Sequence, residues 1–278
     1  MATIQGVDSS YDLLTKPKAA CLGRDGIRIF VQALTALPRT GLHQPPHRIS
    51  NLLNAEFGGL QTAGYLLIGP GMTGRQAVAE ARRDIPIGVW KHLKFVAVDV
   101  EVDGIAATEV LKALQEIERL GRTAVVYTSW NSWNTMIRPR NSTLIATKGY
   151  RLWNASWDND PDIDFSRLPF GGWTRESVIG EQWSGGTIKC GQSVDQNTFE
   201  EYVLLPNDFV VTPPTPEPEP VAVPNKALIW DGAYWYAEVG VGASAHHWWI
   251  RSNEERRTRY EHWTRFNRNP RGSRLDFA

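Results

Sequence analysis

Read for the spacing of apolar positions, the first two hundred residues alternate between short strand-like runs and longer helix-like stretches. IRIFVQAL (27–34) is apolar and rich in β-branched residues, and AGYLLIG (63–69) is a short apolar run closed by glycine. Both have the length and composition of buried strands. FVAVDVEV (95–102) is the strongest such signal, with TAVVYTS (123–129) and YRLWNASW (150–157) following it. Between them lie segments of helical period. ISNLLNAEFGG near 48–59 ends on glycines, GRQAVAEARRDI spans 74–85, and ATEVLKALQEIERLG spans 107–121. In the last of these Val110, Leu111, Leu114, Ile117 and Leu120 share one face and Gly121 closes the helix. Strand, helix, strand, helix in this order predicts parallel βαβ units, hence an α/β fold, either a barrel or a doubly wound sheet.

The alternation stops at TPPTPEPEPVAVP (212–224), where every second or third residue is proline. Proline fixes φ and removes an amide donor, so this segment is expected to be an extended spacer. It divides the chain into residues 1–211, the linker 212–224 and a small module, 225–278. That module carries nine basic and six acidic residues and five tryptophans (Trp230, Trp235, Trp248, Trp249, Trp263). ALIWDGAYWYAEV (227–239) reads as a hairpin with Asp231-Gly232 at or near its turn, and residues 253–266 as a charged helix. A module this small has a marginal core of its own, and docking to a partner would help it.

Composition changes this picture little. The 278 residues are 42% hydrophobic and 22% charged, as in ordinary globular chains. Thirty basic residues balance thirty acidic ones, which removes any whole-chain argument for nucleic-acid binding. No apolar run approaches the roughly 20 residues of a membrane span. The N-terminus, MATIQGVDSSYD, has no basic stretch followed by an apolar one, so no secretory signal is expected. Cys21 and Cys190 are too few for a disulfide framework. Two buried free thiols are expected, a single bridge being the other option.

The candidate chemistry lies in Asp99-Val100-Glu101. Strand positions two apart project to one face, so Asp99 and Glu101 should stand together while Val98, Val100 and Val102 face the other way. Adjacent carboxylates at the end of an apolar strand repel each other, and burial disfavours their charged forms. At least one should therefore keep its proton unusually late, as a general acid working near neutral pH must, and glycosidases use such a pair. Barrels carry their active residues at the carboxyl ends of strands, where this pair sits. The alternative is two solvated acids at a strand end.

Six segments tip the balance. GVDSS (6–10) resembles the G-[IV]-D-[VI]-S opening strand of glycoside hydrolase family 25, the Chalaropsis-type lysozymes. AGYLLI (63–68) sits where that family has G-Y-Y-H-F, and VAVDVE (96–101) is similar to its D-x-E strand. VVYTS (125–129) resembles its [IV]-Y-T, LWNASWD (152–158) its L-W-x-A-x-Y, and EQWSGGTIKCGQSVDQNTF (181–199) its closing Q-Y-[ST]…V-D-x-N-x-F. The order holds over residues 4–200. The resemblance implies a TIM-like (β/α) barrel, with some irregularity, and a small aromatic-rich C-terminal appendage. It implies that Glu101 protonates the departing glycosidic oxygen, that Asp99 and Asp8 tune it and stabilise positive charge at the sugar, and that Asp195 completes the cluster. Tyr65, Tyr127, Trp153 and Gln182 would line the saccharide groove. The chain also departs from the family: FVQALTALP stands where K-A-[ST]-E-G is usual, leaving Gln32 there, and the H-x-F after G-Y-Y is replaced by Leu66–Gly69. Related glycoside-hydrolase-like proteins of actinobacteria and their phages share such departures.

Other motifs carry less. DNDPDIDF (158–165) spaces Asp158, Asp160, Asp162 and Asp164 like part of a calcium loop, but lacks its glycine and distant glutamate, and a solvated loop is expected. His43 and His47 are separated by Pro45 and Pro46, which forbid the helix a zinc pair would need. GPGMTGR (69–75) has no Lys-Ser ending, and no G-x-S-x-G occurs. No metal or cofactor is expected. The expectation is a peptidoglycan-degrading muramidase of a phage, tail-associated or an endolysin, acting on bacterial peptidoglycan and contacting other tail proteins through 225–278. It would travel on the virion or be released at host lysis. A non-catalytic glycan-binding tail protein is the rival.

Overall fold

The computed structural model describes residues 2–36 and 42–204 in full, and the backbone of four short strands beyond them. The chain divides into two compact units, Met1–Pro213 and Pro214–Ala278. The linker segment 212–224 lies outside the described residues.

The first unit is a closed barrel of eight strands in sequential order. These are β1 (Thr3–Ser9), β2 (Ile27–Ala33), β3 (Gln61–Leu67), β4 (Phe95–Asp99), β5 (Thr123–Thr128), β6 (Arg151–Ala155), β7 (Val178–Lys189) and β8 (Gln192–Glu200). Helices α1 (Lys16–Arg24), α2 (Arg48–Phe57), α3 (Gly74–Arg82), α4 (Ile87–His92), α5 (Ala107–Arg119), α6 (Trp130–Thr135) and α7 (Leu144–Thr147) fall in the connections between β1 and β6. The barrel is irregular at its closure. β1 through β7 pair in parallel, but β7 and β8 form an antiparallel hairpin and β8 returns antiparallel to β1. The β6–β7 connection carries a long loop and one 3₁₀ turn (Arg175–Ser177) in place of a helix.

Two apolar layers result from the period-two pattern. Val96, Val98 and Val100 face outward and pack with Val110, Ala113, Leu114 and Ile117 of α5, the face read from its spacing. The other face of the sheet fills the barrel with Ile4, Ile29, Val31, Ala63, Phe95, Ala97, Val125, Trp153 and Phe199. Trp153 is its centre, its ring centroid 4.6 Å from Tyr127, 5.4 Å from Phe199 and 6.2 Å from Phe95. Close approach also fixes Gly74, the first residue of α3: a Cβ there would lie 2.0 Å from the Glu109 carbonyl oxygen, so only glycine lets α3 meet α5.

Cys21 and Cys190 correct a sequence expectation. They are joined in a disulfide, with Cα atoms 5.9 Å apart. Pairing was not legible because 169 residues separate them. Barrel closure brings α1, which follows β1, beside the two-residue turn Cys190-Gly191 of the β7–β8 hairpin. Both turn residues have positive φ (53° and 70°), as a tight hairpin turn of the I′ kind requires. The bridge closes most of the barrel into one loop and restricts the unfolded chain accordingly. Replacing both cysteines by serine should lower the unfolding free energy by about 2–4 kcal/mol. Urea midpoints of the oxidised and double-serine proteins measure this, and equal midpoints would show that the bridge adds no stability.

The second unit contains a four-stranded antiparallel sheet in the order β11–β10–β9–β12, from β9 (Ala227–Trp230), β10 (Trp235–Val239), β11 (His246–Ile250) and β12 (Arg274–Asp276). β9 and β10 pair with Trp230 opposite Trp235, as the hairpin reading of 227–239 expects. The Asp231-Gly232 turn and the charged segment 253–266 lie outside the described residues. Among the described residues no helix is long and apolar enough to cross a membrane.

Candidate active site

All four acids named from the sequence come together at one rim of the barrel. Asp8 is the penultimate residue of β1 and Asp99 the last of β4, both at carboxyl ends. Asp195 lies near the start of β8, and because β8 runs antiparallel it faces Asp8 directly across the β1–β8 ladder. β4 ends at Asp99, three residues before the predicted end of the strand, so Glu101 sits just past it in the β4–α5 connection. Sheet pairing runs one residue further, Val100 donating its amide to the Tyr127 carbonyl at 2.9 Å. Glu101 still raises the proton affinity of Asp99 by proximity, as the period-two argument expects.

Burial divides the four. Asp8 and Asp99 are buried, Asp195 is partly covered and Glu101 is exposed at the mouth. Loss of hydration is the largest cause of every shift. It pushes the Asp8 carboxyl up to about 7, reinforced by Asp195 and opposed by hydrogen bonds from Asn197 and Gln182. Asp99 lies well above the ordinary carboxylate range for the same reason, with Glu101 and then Asp8 adding repulsion. One of its oxygens, Oδ1, is buried with no hydrogen-bond partner among the described residues. Partial loss of hydration at the rim also raises Asp195 and, despite its exposed side, Glu101, the latter further by the charge of Asp195. The Gly186 amide donates to Asp195 Oδ1 at 2.6 Å and pulls the other way. Four mutually repelling carboxyls thus cannot all be ionised at neutral pH.

The residues expected to line a groove divide differently. Tyr65 is partly exposed, its hydroxyl 2.8 Å from Ser10 Oγ. Tyr127 is nearly buried and donates its hydroxyl to Gln182 Oε1 at 2.8 Å. Gln182 is buried and donates to Asp8 Oδ2 at 2.8 Å. Trp153 is the exception. It is 1% exposed and cannot line a groove, because the bulky rings of Phe95, Phe199 and Tyr127 enclose it. Its indole N–H instead donates to Asn197 Oδ1 at 3.0 Å, and Asn197 donates to Asp8 Oδ2 at 2.8 Å.

Sequence reasoning missed three of these groups. Asn197 sits two residues from Asp195 on one strand face, a signal as good as that for Asp99 and Glu101. Trp157 lies in a loop, where periodicity says nothing, and donates to Gln182 Oε1 at 2.5 Å. Glu181 points to the outer side of the sheet, fully buried, accepting the Asp164 amide at 2.6 Å; burial raises its carboxyl to about 8. The acids of 158–164 cap their own loop. Asp158 and Asp160 accept the amides two residues on at 2.9 and 3.0 Å, and Asp164 accepts that of Ser166 at 2.7 Å. Gln32, at the altered second strand, is buried and ties β2 to α2 by accepting from Asn51 at 2.8 Å.

This eight-stranded α/β barrel with an antiparallel closing strand shares its fold with a solved family 25 glycosyl hydrolase from Bacillus anthracis (TM-score 0.50 at 15% identity, covering 70% of this chain and 88% of that one). Comparison with known proteins agrees on the fold. A muramidase from Trichobolus zukalii superposes with a TM-score of 0.53 at 16% identity, covering 71% of this chain and 93% of that one. A bacterial lysozyme from Streptomyces coelicolor gives 0.53 at 17% identity, covering 72% and 93%. The spore cortex lytic enzyme SleM from Clostridium perfringens gives 0.54 at 16% identity, covering 87% and 78%. In sequence, the chain is 33% identical over 93 residues to a probable GH family 25 lysozyme of Dictyostelium discoideum, a match taking in 34% of this chain and 18% of that relative's length. No protein-family model matches the chain.

Proposed function

We propose that the first unit is a peptidoglycan-degrading muramidase, cleaving the wall glycan with Glu101 as its general acid. The observation that carries this reading is the gradient of burial across one cluster: Asp8 and Asp99 are buried, and Glu101 alone is exposed where a chain-like substrate can reach it. In the first step Glu101 gives its proton to the glycosidic oxygen as the bond from that oxygen to the anomeric carbon breaks. Positive charge then grows at the sugar ring, and the negative charge shared among Asp8, Asp99 and Asp195 stabilises it. Water adds to the anomeric carbon, and its proton returns to Glu101, restoring the acid. The solved proteins that share this fold include muramidases and a lysozyme, which supports this substrate class. Incubating the protein with purified bacterial walls should release new reducing ends; sedimentation with the walls and no release would favour a glycan-binding protein without turnover.

The finer reading, also proposed, is a phage protein, carried on the tail or freed at lysis, with the second unit as its attachment piece. It is supported by the altered second strand around Gln32 and by a separate unit of antiparallel sheet. Deleting residues 214–278 should leave the cleavage rate on soluble glycan within about twofold, because every group of the acid cluster lies in the barrel, while reducing wall binding or particle incorporation. Loss of cleavage in a folded truncation would contradict the division of labour.

A further inference from the structure

Asp8 is held by two amide side chains, and each amide is oriented by an indole. Gln182 and Asn197 both donate to Asp8 Oδ2 at 2.8 Å. An amide can point either its NH₂ or its oxygen at a neighbour, and the two ends have nearly the same shape. Indole N–H is a donor only, so whichever end of the amide it meets must be oxygen. Trp153 meets Asn197 in this way at 3.0 Å and Trp157 meets Gln182 at 2.5 Å. In both cases the NH₂ is thereby turned toward Asp8. Tyr127 also bonds the Gln182 oxygen, but its hydroxyl can donate or accept and so tolerates either orientation.

The two indoles differ in one respect: Trp153 is sealed in the barrel, whereas Trp157 is 59% exposed. Trp157 has φ of 53°, a left-handed conformation that a bulky side chain rarely adopts. It is pinned there by β7. The amides of Ser156 and Trp157 both bond the Gln182 carbonyl, at 3.1 and 3.3 Å, and that of Asn159 bonds the Trp183 carbonyl at 2.9 Å. The strain sets the ring beside the acids. A Cβ on Gly185 would lie 3.7 Å from the indole Cη2 and 3.2 Å from Asp195 Oδ1, so the indole and the carboxylate flank the same glycine.

We propose that Trp157 is the substrate-facing positioning residue of the cluster: its N–H turns the Gln182 amide toward Asp8, and its exposed ring takes the apolar face of a sugar in the bound glycan. The platform half rests on the function proposed above; the positioning half does not. Flat, rigid aromatic rings suit the apolar face of a pyranose, and an indole with its polar edge already engaged keeps that face in place. Glycan and Asp8 are thereby linked through a single side chain.

Two variants separate the halves. Trp157→Phe keeps a ring and removes the N–H; Trp157→Ala removes both. With soluble wall-glycan fragments, Trp157→Phe should lower kcat roughly tenfold with KM changed less than about twofold, and Trp157→Ala should in addition raise KM about fivefold or more. Carboxyl-carbon NMR titration of Asp8 gives a readout independent of turnover. A Gln182 amide free to turn its oxygen toward Asp8 favours the protonated acid, so the midpoint of Asp8 should move upward in both variants. An unshifted midpoint in Trp157→Phe overturns the positioning role, and an unchanged KM in Trp157→Ala overturns the platform. If the wild-type protein cleaves nothing, the muramidase reading fails, while the titration still decides the positioning role.

Discussion

Glu101→Gln is expected to lower reducing-end release by about a thousandfold, the scale set by removing a well-placed general acid. Glutamine keeps the size and polarity of the side chain, so substrate binding should change little and the loss should fall on kcat. Glu101 is exposed and takes no part in the apolar layers, so thermal stability should stay near that of the wild type. The pH profile follows from the directions of the shifts. Burial and the charge of Asp195 hold the proton on Glu101 to higher pH than an ordinary glutamate, which extends the acid-competent form toward neutrality. Cleavage should therefore persist to a higher pH than an ordinary glutamate would allow and fall once Glu101 ionises, with a limb belonging to the coupled cluster. Release by Glu101→Gln within threefold of wild type would remove Glu101 from the acid's role and with it the proposed mechanism.

How far the sequence reached can be traced residue by residue. The parallel units were legible because their strands are buried on both faces and their helices are amphipathic; the α5 face and the runs at 27–34 and 123–129 fall within a residue or two of the observed elements. The antiparallel closure was not legible from period alone, because β7 and β8 carry mixed polar sequence, Glu181 through Lys189 and Gln192 through Glu200. Their pairing depends on a tight turn and on β1, which lies almost two hundred residues earlier in the chain. The same closure hid the Cys21–Cys190 bridge. Asp99 and Glu101 were readable as a pair from local alternation, whereas Asp8 and Asp195 entered only by family resemblance, because no local rule brings the first and last strands together. Trp153 shows the opposite failure. The resemblance implies a groove-lining role for it, but its inward direction from β6 seals it in the barrel, where it orients Asn197.

The same burial that readies the acids should weaken the fold, and Asp8→Asn exposes that cost. Asp8 titrates near 3.8 when solvated and near 7 in the barrel, so the folded protein binds a proton that the unfolded chain has already released between those values. A group raised in this way favours folding fully below its unfolded value, and the advantage is lost as pH rises through the folded one. At 1.36 kcal/mol per unit, ionising Asp8 in place should cost the wild type on the order of 4 kcal/mol of stability above pH 7. Asparagine cannot ionise. Its oxygen can still accept from Gln182 and Asn197, and its NH₂ can donate to the facing carboxylates. Asp8→Asn should therefore match the wild type near pH 4 and exceed it by several kcal/mol at pH 8, while cleavage falls at least a hundredfold. Urea midpoints at the two pH values, beside reducing-end rates, test both halves. A variant less stable than wild type by the same margin at both pH values would mean that Asp8 is comfortably ionised in the barrel, against the burial that holds its proton.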